Sequence, residues 1–378
     1  MNEKIIDLRR ELHKYPEISN KEFKTTERII RFINEFNPDE TIRLGDTGVL
    51  FVFKGKEKGK TVLFRAELDA LPIKETSEIE HKSVNENISH VCGHDGHMAI
   101  LAGLAQKISN NRPTKGRVIL LFQPAEEVEQ GARDVLENPK FKNIHPDCIF
   151  ALHNVPGFEK HNIILKKGSF ASASKGMTVK LIGKSSHAAE PENGISPTGA
   201  ISQIINKLHD LREDKTLFTD FILLTIIHIQ LGEISFGTSP GYAEMRITLR
   251  AFENEDMNLL TSYCEKIIQE ISRSENLKCV FSYSEVFPAT VNSDRCVDMV
   301  EESAKQLGLE IEFVKTPFKW SEDFGYYTEK FEACYFGLGS GIHQPQLHNP
   351  DFDFPDNIIE TGINTFFTIY KKIFNYGL

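Results

Sequence analysis

The stretch RVILLFQPAEE, residues 117–127, joins a run of apolar residues to two adjacent carboxylates. The apolar part lacks the alternation of a strand with one face in water, so it is typical of a strand buried on both faces. A predicted helix over residues 95–109 precedes it, and a predicted helix near 129–137 and an apolar strand over 148–152 follow it. Because strands alternate with helices, the sequence predicts an α/β fold with a mostly parallel sheet covered on both faces.

The pattern changes near residue 172. The next predicted elements are strands at 177–182, 221–231, 243–252 and 278–286 and helices at 197–211 and 257–272. Their order, β-α-β-β-α-β, is that of a ferredoxin-like unit, and the α/β alternation resumes after Pro288. We therefore predict one discontinuous domain, residues 1–172 and 287–378, interrupted by an α+β insert over residues 173–286. Such an insert has an open edge strand, and two edges can pair about a two-fold axis, which predicts a homodimer.

The composition argues against several classes of protein. The 44 Lys and Arg against 54 Asp and Glu leave a net charge of −10 without a basic cluster, so nucleic acid is not an expected partner. The longest apolar run, residues 221–231, is shorter than the roughly 20 residues that span a membrane. The start MNEKIIDLRR does not resemble a signal peptide. Because the six cysteines include no C-x-x-C pair, we expect reduced thiols and a cytoplasmic protein.

The segment HVCGHDGH, from His90 to His97, is the densest cluster of metal-binding residue types. Thiol and imidazole ligands this close together suit zinc, nickel, cobalt or manganese, and the two glycines let the backbone turn several side chains toward one point. Taken alone, the segment is equally consistent with a metal site and with a loop that carries surface histidines and a buried cysteine.

Further polar residues follow predicted strands of the same sheet. Glu126 and Glu127 follow the strand at 117–122, His153 follows the strand at 148–152, and His348 lies late in the chain. Ligands bind at the carboxyl ends of strands in α/β sheets, although adjacent acids are also common at helix starts. Neighbouring carboxylates in an extended segment point to opposite sides, so one can bind metal while the other transfers protons. With Cys92, these residues suit two metals that share a bridging group better than one tetrahedral site.

Over nearly its whole length the chain resembles the aminoacylase/carboxypeptidase family of di-metal exopeptidases. The resemblance is to its bacterial amidohydrolase branch, which includes hippurate hydrolases, N-acetyl-diaminopimelate deacetylases and auxin-conjugate hydrolases. The motifs that carry it, in chain order, are RRELHKYPE (9–17), RAELDALPI (65–73), CGHDGH (92–97), FQPAEE (122–127), LHN (152–154), GKSSHAAEP (183–191), SEDFGYY (321–327) and LHNPDFDF (347–354).

The resemblance implies a role for each matching residue. The five metal-binding positions are occupied by Cys92, His94, Glu127, His153 and His348. These residues would hold two divalent ions per chain, which could be zinc, manganese, nickel or cobalt. Glu126 matches the catalytic carboxylate, and Asp69 matches an aspartate that supports the metal site. His187 matches a histidine of the insert that reaches the active site across a dimer, and Arg250 lies near the position of an arginine that binds the substrate carboxylate. The discontinuous domain, residues 1–172 and 287–378, would then be the catalytic domain that binds the metals. The insert, residues 173–286, would be a lid and dimerisation domain.

Three positions depart from the branch. Glu67 stands where aspartate is usual, Glu192 follows Pro191 where histidine is common, and Gly237 stands where asparagine is usual. Two of the three lie in the insert, which helps to shape substrate selection, whereas the metal positions are intact.

The implied function is metal-dependent hydrolysis of the amide bond of a small N-acyl amino acid. Two metals would lower the pKa of a water, Glu126 would take its proton and pass it to the leaving amine, and a metal with His187 would stabilise the oxyanion. One alternative is a carboxypeptidase or dipeptidase that uses the same site. A non-catalytic metal-binding protein is disfavoured by Glu126, and a Cys92 nucleophile paired with His94 is disfavoured by their spacing and by the further ligand-type residues.

Overall fold

The computed structural model of the chain describes residues 3–214 and 216–374. Its strands are, in chain order, β1 (Glu40–Leu44), β2 (Gly48–Lys54), β3 (Glu57–Glu67), β4 (Lys115–Gln123), β5 (Cys148–Pro156), β6 (Ile163–Leu165), β7 (Gly168–Ala171), β8 (Ala173–Ile182), β9 (Ser186–His187), β10 (Ile222–Leu231), β11 (Thr238–Ser239), β12 (Tyr242–Ala251), β13 (Lys278–Phe287), β14 (Thr290–Asn292), β15 (Ile311–Phe313) and β16 (Ala333–Gly341). Its helices are α1 (Glu3–Lys14), α2 (Phe23–Asn34), α3 (His94–Asn110), α4 (Gly131–Glu137), α5 (Thr198–Glu213), α6 (Asn254–Ser274), α7 (Asp294–Gln306), α8 (Gly325–Thr328) and α9 (Ile359–Ile373), with 3-10 turns at Pro191–Asn193 and Asp356–Ile358.

The largest sheet has eight strands in the order β1-β2-β4-β3-β5-β16-β6-β15. Its centre, β4-β3-β5-β16, is parallel throughout. Antiparallel pairs join β1 to β2, β2 to β4 and β16 to β6, so the parallel core is flanked by strands of mixed direction. The predicted α/β fold with a mostly parallel sheet is confirmed.

Burial on both faces explains why the sequences of the central strands are runs of apolar residues. Every residue of β5 and β16 is buried, as are the last seven residues of β3. Helix α3 packs against α1, α9 and β3. Every residue from His94 to Ala105 is buried, so the helix is covered on all sides from its first turn onward. A helix start buried on all sides brings polar residues of that turn out of water, where each needs a partner.

The chain divides into two compact units. The first comprises the chain up to Phe170, Thr290–Thr316 and the chain from Asp323 onward, and the second comprises Ala171–Ala289 and Pro317–Glu322. In the second unit an antiparallel sheet, β10-β12-β8-β13, packs against α5 and α6. Its edge strands are β10 and β13.

The sequence prediction ended the insert at residue 286 and did not place residues 317–322 with it. In the structure the Ser172 hydroxyl donates a hydrogen bond of 2.6 Å to the Phe318 carbonyl. Arg250 of β12 binds the Lys319 carbonyl at 2.8 Å and the Ser321 hydroxyl at 3.0 Å. These contacts hold a segment that is remote in sequence on the second unit. Among the described residues, no helix is both long enough and apolar enough to cross a membrane.

Candidate metal centre and active site

The five residues predicted to bind metal lie together in the first unit. Cys92 lies just before α3 and His94 is its first residue, Glu127 follows β4, His153 lies on β5, and His348 follows β16. Because β4, β5 and β16 run parallel with β3, their carboxyl ends meet at one edge of the sheet. The side chains form two sets that share Cys92. One set is Cys92 with His94 and His153, and the other is Cys92 with Glu127 and His348. Within each set the possible ligand atoms lie within 4.8 Å of one another.

The backbone between Cys92 and His94 requires glycine. Gly93 has a φ of 97°, in the left-handed region that glycine adopts without steric cost. A Cβ atom at this position would also lie 2.3 Å from Oδ1 of Asn154. The turn directs the Cys92 and His94 side chains to the same place, which is why two ligand-type residues can stand only two positions apart.

His94 is oriented as a metal-binding histidine usually is. Its Nδ1 donates to the Asp69 carbonyl oxygen at 2.9 Å, which leaves the lone pair on Nε2. That Nε2 is buried without a hydrogen-bond partner among the described residues, and it lies 3.9 Å from Oε2 of Glu126 and 3.9 Å from Oε1 of Glu127. A buried lone pair facing two carboxylates fits a cation held between them.

The electrostatics of the cluster also favour positive charge. Burial lowers the pKa of His94, but Asp69, Glu67 and Glu127 outweigh it and raise that pKa to about 10. Burial, followed by the charges of Glu127 and Glu126, raises the pKa of the Cys92 thiol well above its usual value. A bound divalent cation reverses this effect, since a coordinating thiol is deprotonated.

His153 and His348 complete the two sets. Nδ1 of His153 donates to the Asn154 carbonyl at 2.8 Å, so its Nε2 lone pair is directed toward the Cys92 sulfur at 3.4 Å. Nε2 of His348 lies 3.7 Å from Oε1 of Glu127, and the His348 side chain is half exposed. The His348 N–H donates to the Val91 carbonyl at 2.9 Å, which ties the late loop to the Cys92 segment.

Asp69 lies behind this cluster, where it contacts backbone and side-chain donors. Its Oδ2 accepts hydrogen bonds from the Glu127 N–H at 3.0 Å and from the Ser19 hydroxyl at 2.7 Å. Burial raises the pKa of Asp69, but the hydrogen bonds and the His94 imidazole hold it below the usual value. Asp69 is therefore placed to orient His94 and Glu127.

The other two histidines of the HVCGHDGH segment have different surroundings. Nδ1 of His97 lies 2.7 Å from Oε2 of Glu67, and its Nε2 lies 2.7 Å from Oδ1 of Asn154, so both ring nitrogens are engaged. The His90 ring is buried, and neither of its nitrogens has a hydrogen-bond partner among the described residues. Burial lowers the pKa of His90 to about 3, which keeps it neutral.

Glu67, one of the departures from the family pattern, belongs to a buried ionic network that the sequence did not reveal. Its carboxylate binds both His97 and Arg65. Arg65 also binds Oδ1 of Asp323 at 2.5 Å and Oε1 of Gln123 at 3.0 Å. Burial raises the pKa of Glu67, but Arg65 and His97 bring it well below the usual value. The position of the charged Arg65 in an apolar strand was the available signal, because a buried arginine requires acidic partners.

The two predicted substrate-binding residues lie in the second unit. His187 is exposed in β9, and its Nδ1 accepts a hydrogen bond of 3.1 Å from the Ala189 N–H. Strand β9 pairs with β11, and the Gly237 carbonyl accepts a hydrogen bond from the Ala188 N–H at 3.0 Å. The departure at Gly237 therefore adjoins His187 directly. Arg250 is engaged by the Lys319 carbonyl and the Ser321 hydroxyl, as described above.

Comparison with known proteins identifies the family. The model of "Peptidase family M20/M25/M40" matches residues 63–372. The hippurate hydrolase of Campylobacter jejuni is 31% identical over 93% of this chain and 92% of its own length. The N-acetylcysteine deacetylase of Bacillus subtilis is 30% identical over 96% of this chain and 95% of its own length.

A solved structure agrees with these sequence matches. The Bacillus subtilis YXEP protein, described as a dinuclear metal binding peptidase from the M20 family, superposes with a TM-score of 0.85 at 27% identity, over 99% of this chain and 98% of its own. The resemblance predicted from the motifs is thereby confirmed. The chain belongs to peptidase family M20/M25/M40 and is a metal-dependent amidohydrolase.

Proposed function

We propose that the protein hydrolyses the amide bond of a small N-acyl amino acid at a site that holds two divalent metal ions. The observation that carries the proposal is the pair of ligand sets that share Cys92, with the Glu126 carboxylate beside them. The names of the hippurate hydrolase and N-acetylcysteine deacetylase relatives support an N-acyl amino acid as the substrate. The dinuclear metal site of the YXEP protein supports two ions.

In this proposal the chain's own residues divide the work. The metal ligands are Cys92, His94, Glu127, His153 and His348. Thiolate, imidazole and carboxylate ligands together suit zinc, manganese, nickel or cobalt. When bound, the ions supply a Lewis acid that lowers the pKa of water and polarises the acyl carbonyl.

Glu126 is the general base. It is buried beside Glu127, and its Oε2 lies 3.9 Å from Nε2 of His94, so it stands next to the metal positions. It takes a proton from the attacking water and passes it to the leaving amine. Asp69 supports the reaction by orienting His94 and Glu127, while His187 and Arg250 contact the substrate.

A substrate panel tests the proposal. N-acetylcysteine, hippurate and other N-acyl amino acids are offered to protein loaded with each of the four metals, and dipeptides of the same amino acids serve as the matched comparison. We expect kcat/KM for the best N-acyl amino acid to exceed that for the matched dipeptide. The reverse order would favour the alternative, a carboxypeptidase or dipeptidase with the same site.

We also propose that two copies associate through the second unit. On the edge strand β10, the residues Ile227, Ile229 and Leu231 are exposed, and the loop that follows exposes Ile234 and Phe236 completely. An exposed apolar edge strand is an aggregation liability in a monomer, and natural proteins cover such edges. Pairing of β10 with its copy about a two-fold axis would cover it.

In such a dimer we expect His187 of one chain to act at the metal site of the other. Glu126→Ala and His187→Ala should each be nearly inactive. Equal amounts of the two, randomly reassorted, give half heterodimers, and each heterodimer has one site with both residues intact. Activity should therefore return to about a quarter of the wild-type value. Absence of recovery, in a sample shown by native mass spectrometry to contain heterodimers, would contradict this role.

The proposed location is the cytoplasm. All six cysteines are free thiols, and five of them are buried. Reduced thiols are typical of proteins in a reducing compartment.

A further inference from the structure

The turn that carries Glu126 and Glu127 has an unfavourable backbone conformation. Ala125 has a φ of 54° and Glu129 a φ of 60°, both in the left-handed region. Non-glycine residues adopt this region rarely, because it brings their Cβ atom too close to the following carbonyl oxygen. The residue just before the proposed base therefore needs contacts that hold it in place.

Local hydrogen bonds close the turn on itself. The Ala125 carbonyl accepts from the Gly131 N–H at 3.1 Å, and the Glu126 carbonyl accepts from the Glu129 N–H at 2.9 Å. Gly131 permits this closure, because a Cβ atom there would lie 1.7 Å from the Pro124 carbonyl oxygen. These bonds shape the loop but do not attach its leading end to the rest of the unit.

Glu22 makes that attachment. Its Oε1 accepts a hydrogen bond of 2.8 Å from the Ala125 N–H, 103 positions away in the chain, and one of 3.0 Å from the Asn20 N–H. Glu22 is completely buried. Its own backbone is anchored as well, since its carbonyl accepts from the Thr26 N–H at 2.9 Å and the Thr26 hydroxyl at 2.8 Å. A rigid carboxylate therefore fixes the strained residue.

A second buried carboxylate holds the other side of the base. As described above, Asp69 accepts from the Glu127 N–H, so the N–H groups immediately before and after Glu126 each bind a buried acid. Burial, followed by the charge of Asp69, raises the pKa of Glu22 to about 7.

We propose that Glu22 is a positioning residue, which holds Ala125 in its left-handed conformation and so directs Glu126 and Glu127 toward the metal site. The proposal rests on the proposed function, because it assumes that Glu126 is the base and Glu127 a ligand. The hydrogen-bond acceptor of Glu22 is required, whereas its negative charge is not.

Two conservative variants separate the hydrogen-bond acceptor of Glu22 from its negative charge. Glu22→Gln keeps the length of the side chain and an acceptor oxygen but removes the charge. Glu22→Asp keeps the charge but is one methylene shorter, so its oxygens no longer reach the Ala125 N–H. Both are small changes that preserve burial, and Glu22→Ala removes the acceptor altogether.

Asp256 offers a matched control in the second unit. It is also a buried carboxylate that accepts from two backbone N–H groups, those of Thr219 at 3.0 Å and Asp220 at 2.9 Å. Asp256→Ala therefore causes a comparable loss of buried hydrogen bonds without touching the catalytic turn. It should lower the melting temperature and leave kcat and metal affinity unchanged.

The measurements are kcat and KM on the best substrate of the panel, metal affinity by competition with a chelator, and melting temperature. We expect Glu22→Asp and Glu22→Ala to lower kcat by about a hundredfold, the scale of a misplacement near 1 Å. Metal affinity should fall by about tenfold or more, as when a residue that orients a ligand is lost. Glu22→Gln should retain most of both.

The reverse order, with Glu22→Asp active and Glu22→Gln inactive, would overturn the proposal, because the charge would then be the required property. Glu22→Asp and Glu22→Ala with kcat and metal affinity like those of Asp256→Ala would also overturn it, because Glu22 would then serve stability alone. A failure of the proposed function is recognised separately, since Glu126→Gln would then keep normal turnover.

Discussion

Glu126→Gln is expected to leave the metal content of the protein unchanged and to lower kcat by about two to four orders of magnitude, the usual contribution of a general base. Glutamine has nearly the same shape but cannot accept the proton. Glu127→Ala is the matched variant on the adjacent residue. It removes a carboxylate whose Oε1 lies 3.9 Å from His94 Nε2 and 3.7 Å from His348 Nε2, so metal affinity should fall together with turnover.

The two variants are compared by elemental analysis and by single-turnover kinetics on the same N-acyl amino acid. Near-normal turnover in Glu126→Gln would show that the base has been misassigned. Loss of metal from Glu126→Gln, with full metal in Glu127→Ala, would show that the two glutamates have exchanged roles.

Removal of metal is expected to abolish the activity. Fully loaded protein should contain close to two divalent ions per chain, and a chelator should remove both the ions and the hydrolysis. The reason is that free water is too weak an acid to lose a proton at neutral pH, and a bound cation is needed to lower its pKa toward neutrality. Full activity in protein shown by elemental analysis to be metal-free would contradict the mechanism.

Alkylation gives a second measurement of the same site that does not depend on activity. A metal-bound thiolate at Cys92 should be shielded from iodoacetamide and become modified once the chelator has removed the ions. Cys279, which lies on β13 in the second unit and is partly exposed, is the internal control. Peptide mapping should show Cys279 modified equally in both samples. Equal modification of Cys92 with and without metal would mean that its sulfur is not a ligand.

The predictability of the fold differed between the centre of the large sheet and its edges. The apolar runs in β4 and β5 indicated central, doubly covered strands because a strand buried on both faces has no polar alternation. The antiparallel pairing of β2 with β4 is not indicated by any local pattern, because it depends on a partner far away in the chain. The attachment of Pro317–Glu322 to the second unit was not foreseen because it depends on hydrogen bonds to residues more than 60 positions away.

The candidate site was also predictable only in part. Residue type and resemblance singled out Cys92, His94 and His153, but the five candidate histidines, one cysteine and two adjacent glutamates leave several possible ligand sets. In the structure, three of these histidines differ in what their ring nitrogens contact. His94 and His153 each bind a backbone carbonyl through Nδ1 and direct Nε2 into the cluster, whereas His97 is engaged on both sides.

The sequence by itself determined the fold class, the family and the residue types at the proposed metal positions, because these depend on local apolar patterns and on short motifs. Only the tertiary structure revealed Glu22 behind the Ala125 N–H and Arg65 between Glu67 and Asp323. Nothing in the local sequence pairs residue 22 with residue 125. A buried carboxylate must find its donors wherever the fold brings backbone N–H groups out of water, and that place is set by long-range packing.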